Sequence, residues 1–162
     1  MKFIDISAFV FDFDGVLTNN LVHLDQSGDE WVSCSRSDGL AFDALRKLNK
    51  PTYIISTEEN SVVSARAKKL KVEVFQGVKN KANLLSTLAI KHEYNLKHIL
   101  YVGNDLNDYH VMKSCGFSVC PSDSHPKIRS ISNITLKSKG GNGIVRELLE
   151  DVFGLDLIKI LY

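Results

Sequence analysis

Ile6-Ser7-Ala8-Phe9-Val10-Phe11 runs directly into Asp12-Phe13-Asp14-Gly15, and this stretch decides the fold. The run is rich in β-branched and aromatic residues, does not alternate apolar with polar, and stops at two acids and a glycine. A strand buried on both faces reads this way, which points to a parallel sheet covered by helices. Further short apolar runs at 53–55, 72–75, 98–102 and 117–119, with a weaker one at 134–136, continue the pattern.

Between these runs the apolar residues recur at helical spacing. Asp38 is placed to cap a helix carrying Leu40, Ala41, Ala44, Leu45 and Leu48, which Pro51 ends. Asn60 or Ser61 starts the next, with Val62, Val63, Ala67 and Leu70, and Asn80 caps one bearing Leu84, Leu85, Leu88 and Ala89. Helices at 106–112, near 126–131 and at 144–152 complete the series, the last entered from the glycine-rich loop 139–143. Strands alternating with helices predict one doubly wound α/β domain over 1–162, with a parallel sheet, helices on both faces and ligands at the carboxyl ends of the strands. One hairpin interrupts the pattern: residues 21–24 and 31–33 flank a polar turn, and its apolar Val22, Leu24 and Trp31 have no place in the main core.

Composition narrows the function classes. Twenty Lys and Arg against nineteen Asp and Glu give a net charge of +1, so no global field steers the chain onto nucleic acid or an anionic membrane. No apolar run approaches the ~18 residues of a membrane span. Three cysteines without a CxxC spacing give neither a disulfide framework nor a zinc site, and a reducing cytoplasm suits them. The five histidines show no metal-binding spacing.

Asp12, Ser56, the segment before Lys81 and Asn104-Asp105 all fall just past predicted strand ends, so the fold converges them on one crevice. Two carboxylates two apart, with Gly15 letting the backbone turn, offer hard oxygen ligands of the kind Mg²⁺ takes. A polar turn after a strand would look the same. Ser56 alone reads as turn chemistry, and Lys81 or Lys79 alone as a solvated cation, although a lysine opening a helix also favours phosphate.

Taken in order, Asp12-Phe13-Asp14-Gly15-Val16-Leu17-Thr18, Ser56, Lys81 and Gly103-Asn104-Asp105-Leu106-Asn107-Asp108 resemble the four dispersed motifs of the haloacid dehalogenase-like phosphohydrolases. The resemblance implies that Asp12 is the nucleophile and forms an aspartyl-phosphate. It implies that Asp14 is general acid and then base, lending a backbone carbonyl to Mg²⁺, and that Ser56 and Lys81 hold the phosphoryl group. It further implies that Asp108 supports Lys81 or a metal-bound water, although a first-turn helix acid would look the same. The family pattern has Asp where this chain has Asn104, so either Asn104 or Asp105 completes the metal site.

The gaps that carry cap domains in most of the family hold only the hairpin and one short helix. The chain therefore looks capless, and Gly28-Asp29-Glu30-Trp31, Ser37-Asp38-Gly39, Phe75-Gln76-Gly77 and Lys139-Gly140-Gly141-Asn142-Gly143 resemble the phosphatases of 3-deoxy-manno-octulosonate 8-phosphate and of nine-carbon ulosonate 9-phosphates. That branch implies homotetramers in which the hairpin, about 18–34, closes a neighbouring site, and a sugar acid touched by Glu58, Arg66 and Lys69. The latter three could equally be an ordinary helix start and solvated face. The Gly103-Asn104-acid sequence also resembles the phosphatase-like domain of CMP-sialic acid synthetases, which favours a nonulosonate substrate. Two rivals stand beside this reading: a non-catalytic tetramerisation domain serving a CMP-sugar-acid synthetase, suggested by Asn104 and the fused relatives, and a receiver-like signalling domain, in which acids, a Ser or Thr and a Lys also meet at strand ends.

Overall fold

The computed structural model describes all 162 residues. Six parallel strands form the main sheet: β1 (Ala8–Phe11), β4 (Thr52–Ile55), β5 (Glu73–Phe75), β6 (Ile99–Val102), β7 (Phe117–Cys120) and β8 (Ile134–Thr135), in the spatial order β5-β4-β1-β6-β7-β8. β2 (His23–Leu24) and β3 (Glu30–Trp31) pair separately as the antiparallel hairpin.

β1 is buried at every position because successive side chains serve opposite layers. Phe9 and Phe11 join the core beneath α1 (Arg36–Lys47), α2 (Val62–Leu70), α6 (Ile144–Glu147) and α7 (Leu157–Leu161); Ala8 and Val10 join the core beneath α3 (Lys81–Lys91), α4 (Tyr109–Ser114) and α5 (Pro126–Ile131). Such a sheet is doubly wound, as the alternation of elements predicts, and no cap domain is inserted. After β1 the chain winds outward through β4 and β5, then returns to β6 on the other side. The strand order therefore reverses at β1, where open α/β sheets place their sites.

Two expectations are corrected. Ser35, not Asp38, caps α1, its side chain accepting from Ser37 N. Asp38 lies in the first turn of the helix, and its Oδ1 accepts N–H groups of Val145 (2.8 Å) and Arg146 (3.2 Å) at the start of α6. The sequence near residue 38 cannot show that its partner arrives more than a hundred positions later. Strand β6 begins at Ile99, because His98 closes a short 3₁₀ turn, Leu96–His98. α7 lies beyond the last helix read from the sequence, and α6 runs on as a π-helical turn over Leu148–Val152.

Burial raises the Asp38 pKa from its ordinary 3.8 to about 6, against the two backbone N–H groups and the charges of Arg66 on α2 and Arg146 on α6. An acid whose folded pKa is raised contributes stability that is complete below about pH 4 and lost as pH rises through 6. Asp38→Asn keeps an acceptor oxygen without the charge. Relative to wild type it is expected to gain roughly 2–3 kcal/mol between pH 4 and pH 7. Urea unfolding of the two proteins across that range checks the direction; a constant difference contradicts it.

Candidate active site

Phe11 is in register with Ile54 on one side and Val102 on the other, so the residues just past β1, β4 and β6 emerge together. Asp12, Asp14, Asn104 and Asp105 line one cleft of about 310 Å³, with Thr57 and Asn107 on its wall. Of the residues expected to converge there, Asp12, Asn104 and Asp105 line this cleft, Lys81 lies beneath it against Asp12, and Ser56 is not among its lining residues.

Its floor is an ionic triad. Lys81 opens α3 directly after the cap Asn80, and its Nζ lies 2.7 Å from Asp12 Oδ1 and 2.7 Å from Asp108 Oδ1, with all three side chains buried. Phe13 N also donates to Asp12 Oδ1, at 2.7 Å. Both contacts fall on one oxygen, which leaves Oδ2 without a protein partner. Asp108 is fully engaged: Tyr101 donates its hydroxyl to Oδ1 at 3.0 Å, and the Asn104 N–H meets Oδ2 at 2.9 Å. Tyr101 is a site residue the sequence does not betray, since mid-strand it reads as core.

Two carboxylates share one ammonium in this floor, so negative charge is in excess. Burial, and then repulsion from Asp108, raise the Asp12 pKa well above the carboxylate range, against the pull of Lys81. Burial opposes the Lys81 charge too, but Asp12 and Asp108 outweigh it and its pKa is raised. Asp14 is half-buried, and burial followed by the Glu58 charge raises its pKa, countered by a Thr18 hydroxyl that donates to its Oδ1 at 3.4 Å.

Asn104 is buried, and its Oδ1 has no hydrogen-bond partner. An orphaned acceptor of this kind costs ~1–3 kcal/mol unless something positive meets it. Its amide nitrogen packs so tightly on Gly15 that a Cβ there would come within 1.9 Å, and Gly15 has φ +78°, so only glycine fits. Asp105 turns its Oδ1 to the N–H of Leu106, capping the next turn. No three His, Cys, Asp or Glu side chains converge on one point in the molecule. A cation here would instead draw on two acids, the Asn104 amide oxygen and backbone carbonyls, an all-oxygen set that fits a hard ion such as Mg²⁺.

The remaining candidates lie around this centre. Ser56 is buried, and its Oγ accepts from Glu58 N at 3.1 Å, the turn chemistry open to it in the sequence. Glu58 folds back, Oε1 accepting from Glu59 N and Asn60 N, both at 2.7 Å. Arg66 donates to Ser35 O at 2.7 Å, and with Lys69 it lines a separate pocket of about 180 Å³ rather than the acidic cleft.

A family model of haloacid dehalogenase-like hydrolases matches residues 40–148. The 3-deoxy-D-manno-octulosonate 8-phosphate phosphatase KdsC of Salmonella typhi is 31% identical over 90% of this chain and 78% of its own length. Among solved structures, a Streptomyces avermitilis protein assigned to the HAD family of hydrolases superposes with a TM-score of 0.93 at 38% identity, covering 97% of this chain and 96% of that one. The 3-deoxy-D-manno-octulosonate 8-phosphate phosphatase of Moraxella catarrhalis, in complex with magnesium, phosphate and KDO, superposes with a TM-score of 0.87 at 29% identity over 96% of this chain and 87% of that one. With two thirds of its length matched by that family model and a relative 31% identical over most of both chains, the chain belongs to the haloacid dehalogenase-like hydrolases.

Proposed function

We propose that the chain hydrolyses the phosphomonoester of a sugar acid through a covalent intermediate on Asp12. It is a phosphatase, and Mg²⁺ is its cation. One observation carries the reading of Asp12: Lys81 and Phe13 N hold a single carboxylate oxygen and leave the other free, beside Asp14.

Asp12, the Asp14 carbonyl, Asn104 and Asp105 would hold Mg²⁺, which supplies positive charge against the negative oxygens of the phosphoryl group. Asp12 Oδ2 attacks phosphorus and the ester oxygen leaves, taking a proton from Asp14. The raised Asp14 pKa keeps a protonated fraction available for that transfer. Water then attacks the aspartyl-phosphate, Asp14 accepts its proton, and inorganic phosphate departs from a regenerated Asp12. Lys81 orients Asp12 and, with Ser56, clamps the phosphoryl oxygens, while Asp108 fixes Lys81.

The substrate is assigned to the ulosonate phosphates. The relatives support the eight-carbon acid, and the Gly103-Asn104-Asp105 sequence supports a nine-carbon nonulosonate. Glu58, whose charge reaches Asp14, is assigned to the sugar acid, whereas Arg66 and Lys69 line a separate pocket and are left as a solvated face. Phosphate release with Mg²⁺ from a panel of both classes tests this. Rapid release from one member names the class; no release from any favours the second reading, a non-catalytic partner of a CMP-sugar-acid synthetase, for which the neutral Asn104 is the motive. Asn104→Asp restores a formal charge to the cation site and is expected to tighten Mg²⁺ about tenfold, since ligand charge sets affinity in oxygen sites. Half-saturating Mg²⁺ for turnover reads it, and an unchanged value removes Asn104 from the site.

The hairpin is assigned to a homotetramer. Leu21, Val22, Leu24 and Trp31 are all exposed by more than half, an apolar surface a lone subunit would leave wet. Trp31→Asp with Leu24→Asp is expected to convert a tetramer to monomers in analytical ultracentrifugation. A wild-type monomer contradicts the assignment. No helix is long and apolar enough to cross a membrane, and the three unpaired cysteines support a cytoplasmic setting.

A further inference from the structure

Asp38 does not line the catalytic cleft, yet a continuous chain of contacts connects it to the acid that does. We propose that Asp38 is a positioning residue for Asp14, acting through the 139–143 loop; the inference rests on the reading of Asp14 as the proton-transferring acid.

The loop is fastened at both ends by carboxylates. Asp38 Oδ1 takes the first N–H groups of α6, and on the opposite side Glu147 accepts from Lys137 N (2.7 Å) and Ser138 N (2.8 Å), while Asp123 Oδ1 accepts from Gly140 N at 3.0 Å. Between these anchors the loop presses on the nucleophile turn, backbone against backbone. Gly141 N donates to Val16 O at 3.0 Å, and a Cβ on Gly140 would lie 2.2 Å from Gly15 O and 2.9 Å from Thr18 O. The 140–141 corner therefore backs the turn that carries Asp14.

Thr18 transmits the contact. It is fully buried, and its Oγ1 accepts N–H groups from Gly15 and Asn20, each at 3.2 Å. A hydroxyl has two lone pairs and one hydrogen, so with both acceptor positions filled its hydrogen is directed to Asp14 Oδ1. The Thr18 backbone is what the loop touches. Release of the α6 end frees the loop, the loop frees the turn, and Asp14 loses its fixed partner. Asp38 Oδ2 has no partner, so Asp38→Asn can keep the Oδ1 contacts and place its amide where nothing was bonded.

The test measures amide hydrogen exchange and Mg²⁺-dependent hydrolysis of para-nitrophenyl phosphate on the full chain. Asp38→Ala is expected to speed exchange at Gly141 N at least about tenfold and to lower kcat about ten- to a hundredfold, the cost of a small misplacement of a catalytic group. KM should stay within about twofold, because Ser56 and Lys81 are untouched. Asp38→Asn should stay within about twofold of wild type in both readouts. Gly140→Ala displaces the same corner without altering Asp38, so it should reproduce the kcat loss even where Asp38→Ala folds poorly. Unchanged kcat and exchange in Asp38→Ala, equal losses in Asp38→Ala and Asp38→Asn, or a loss confined to KM would each overturn the proposal. If wild type hydrolyses nothing, the reading of Asp14 falls and takes the catalytic part of the proposal with it. Exchange at Gly141 then decides the anchoring on its own.

Discussion

Asp12→Asn is expected to abolish turnover, lowering kcat by about 10⁴-fold or more, as loss of a covalent nucleophile does. The amide keeps the shape and can still meet Lys81, but its oxygen no longer carries the charge that attacks phosphorus. Stability should not fall with activity. Burial and the neighbouring Asp108 raise the Asp12 pKa, so its charge is held in the fold at a cost; replacing it with a neutral isostere removes that cost and leaves Lys81 paired to Asp108 at 2.7 Å. Unfolding free energy within about 1 kcal/mol of wild type, or above it, is the expected result. Calorimetry and phosphate release on the same preparation separate the two quantities. A variant that unfolds and loses activity together would assign Asp12 to structure.

Lys81→Met should do the reverse and damage both. It leaves Asp12 and Asp108 facing each other without the ammonium between them, and breaking a buried pair by removing one partner typically costs ~3–5 kcal/mol. Activity should drop by about 10²–10³-fold, the scale set by losing one positioned donor to a developing negative charge. Adding Asp12→Asn to Lys81→Met removes one of the stranded charges, so the double variant is expected to be more stable than Lys81→Met alone. A double-mutant cycle by denaturant unfolding measures that coupling. Additive losses would mean the 2.7 Å contact between Lys81 and Asp12 carries no interaction energy.

Much of this site could be read from the sequence because its parts sit at strand ends. Asp12, Ser56 and Asn104 follow three adjacent strands, and parallel pairing in register turns their separate positions into one place. Lys81 stands out as a helix-opening lysine, and Asp108 only through the resemblance of 103–108 to the family's fourth motif. What escaped depends on contacts between distant segments. Asp38 has the residue type of a local cap, and nothing nearby shows that it caps α6 instead. Tyr101 faces its own layer as any core residue does, and its hydroxyl role appears only once Asp108 folds beneath it. α7 is five residues long, too short for periodicity to register, and is held by packing of Leu157 into the core beneath α1. Glu58 was marked as a substrate contact or a helix-start acid, and its carboxylate accepts the N–H groups of the turn it sits on.

The reading of Asp12 as nucleophile and Asp14 as the group that activates water is tested most directly in Asp14→Asn, with para-nitrophenyl phosphate and Mg²⁺. A phenolate leaves without an acid, so the first step should proceed, whereas the second lacks its base. The expected result is a burst of about one nitrophenolate per chain followed by slow turnover, with phosphate held on residue 12 and located by peptide mass after acid quench. Wild-type turnover accompanied by no burst in Asp14→Asn, or phosphate found on any residue other than Asp12, would contradict it.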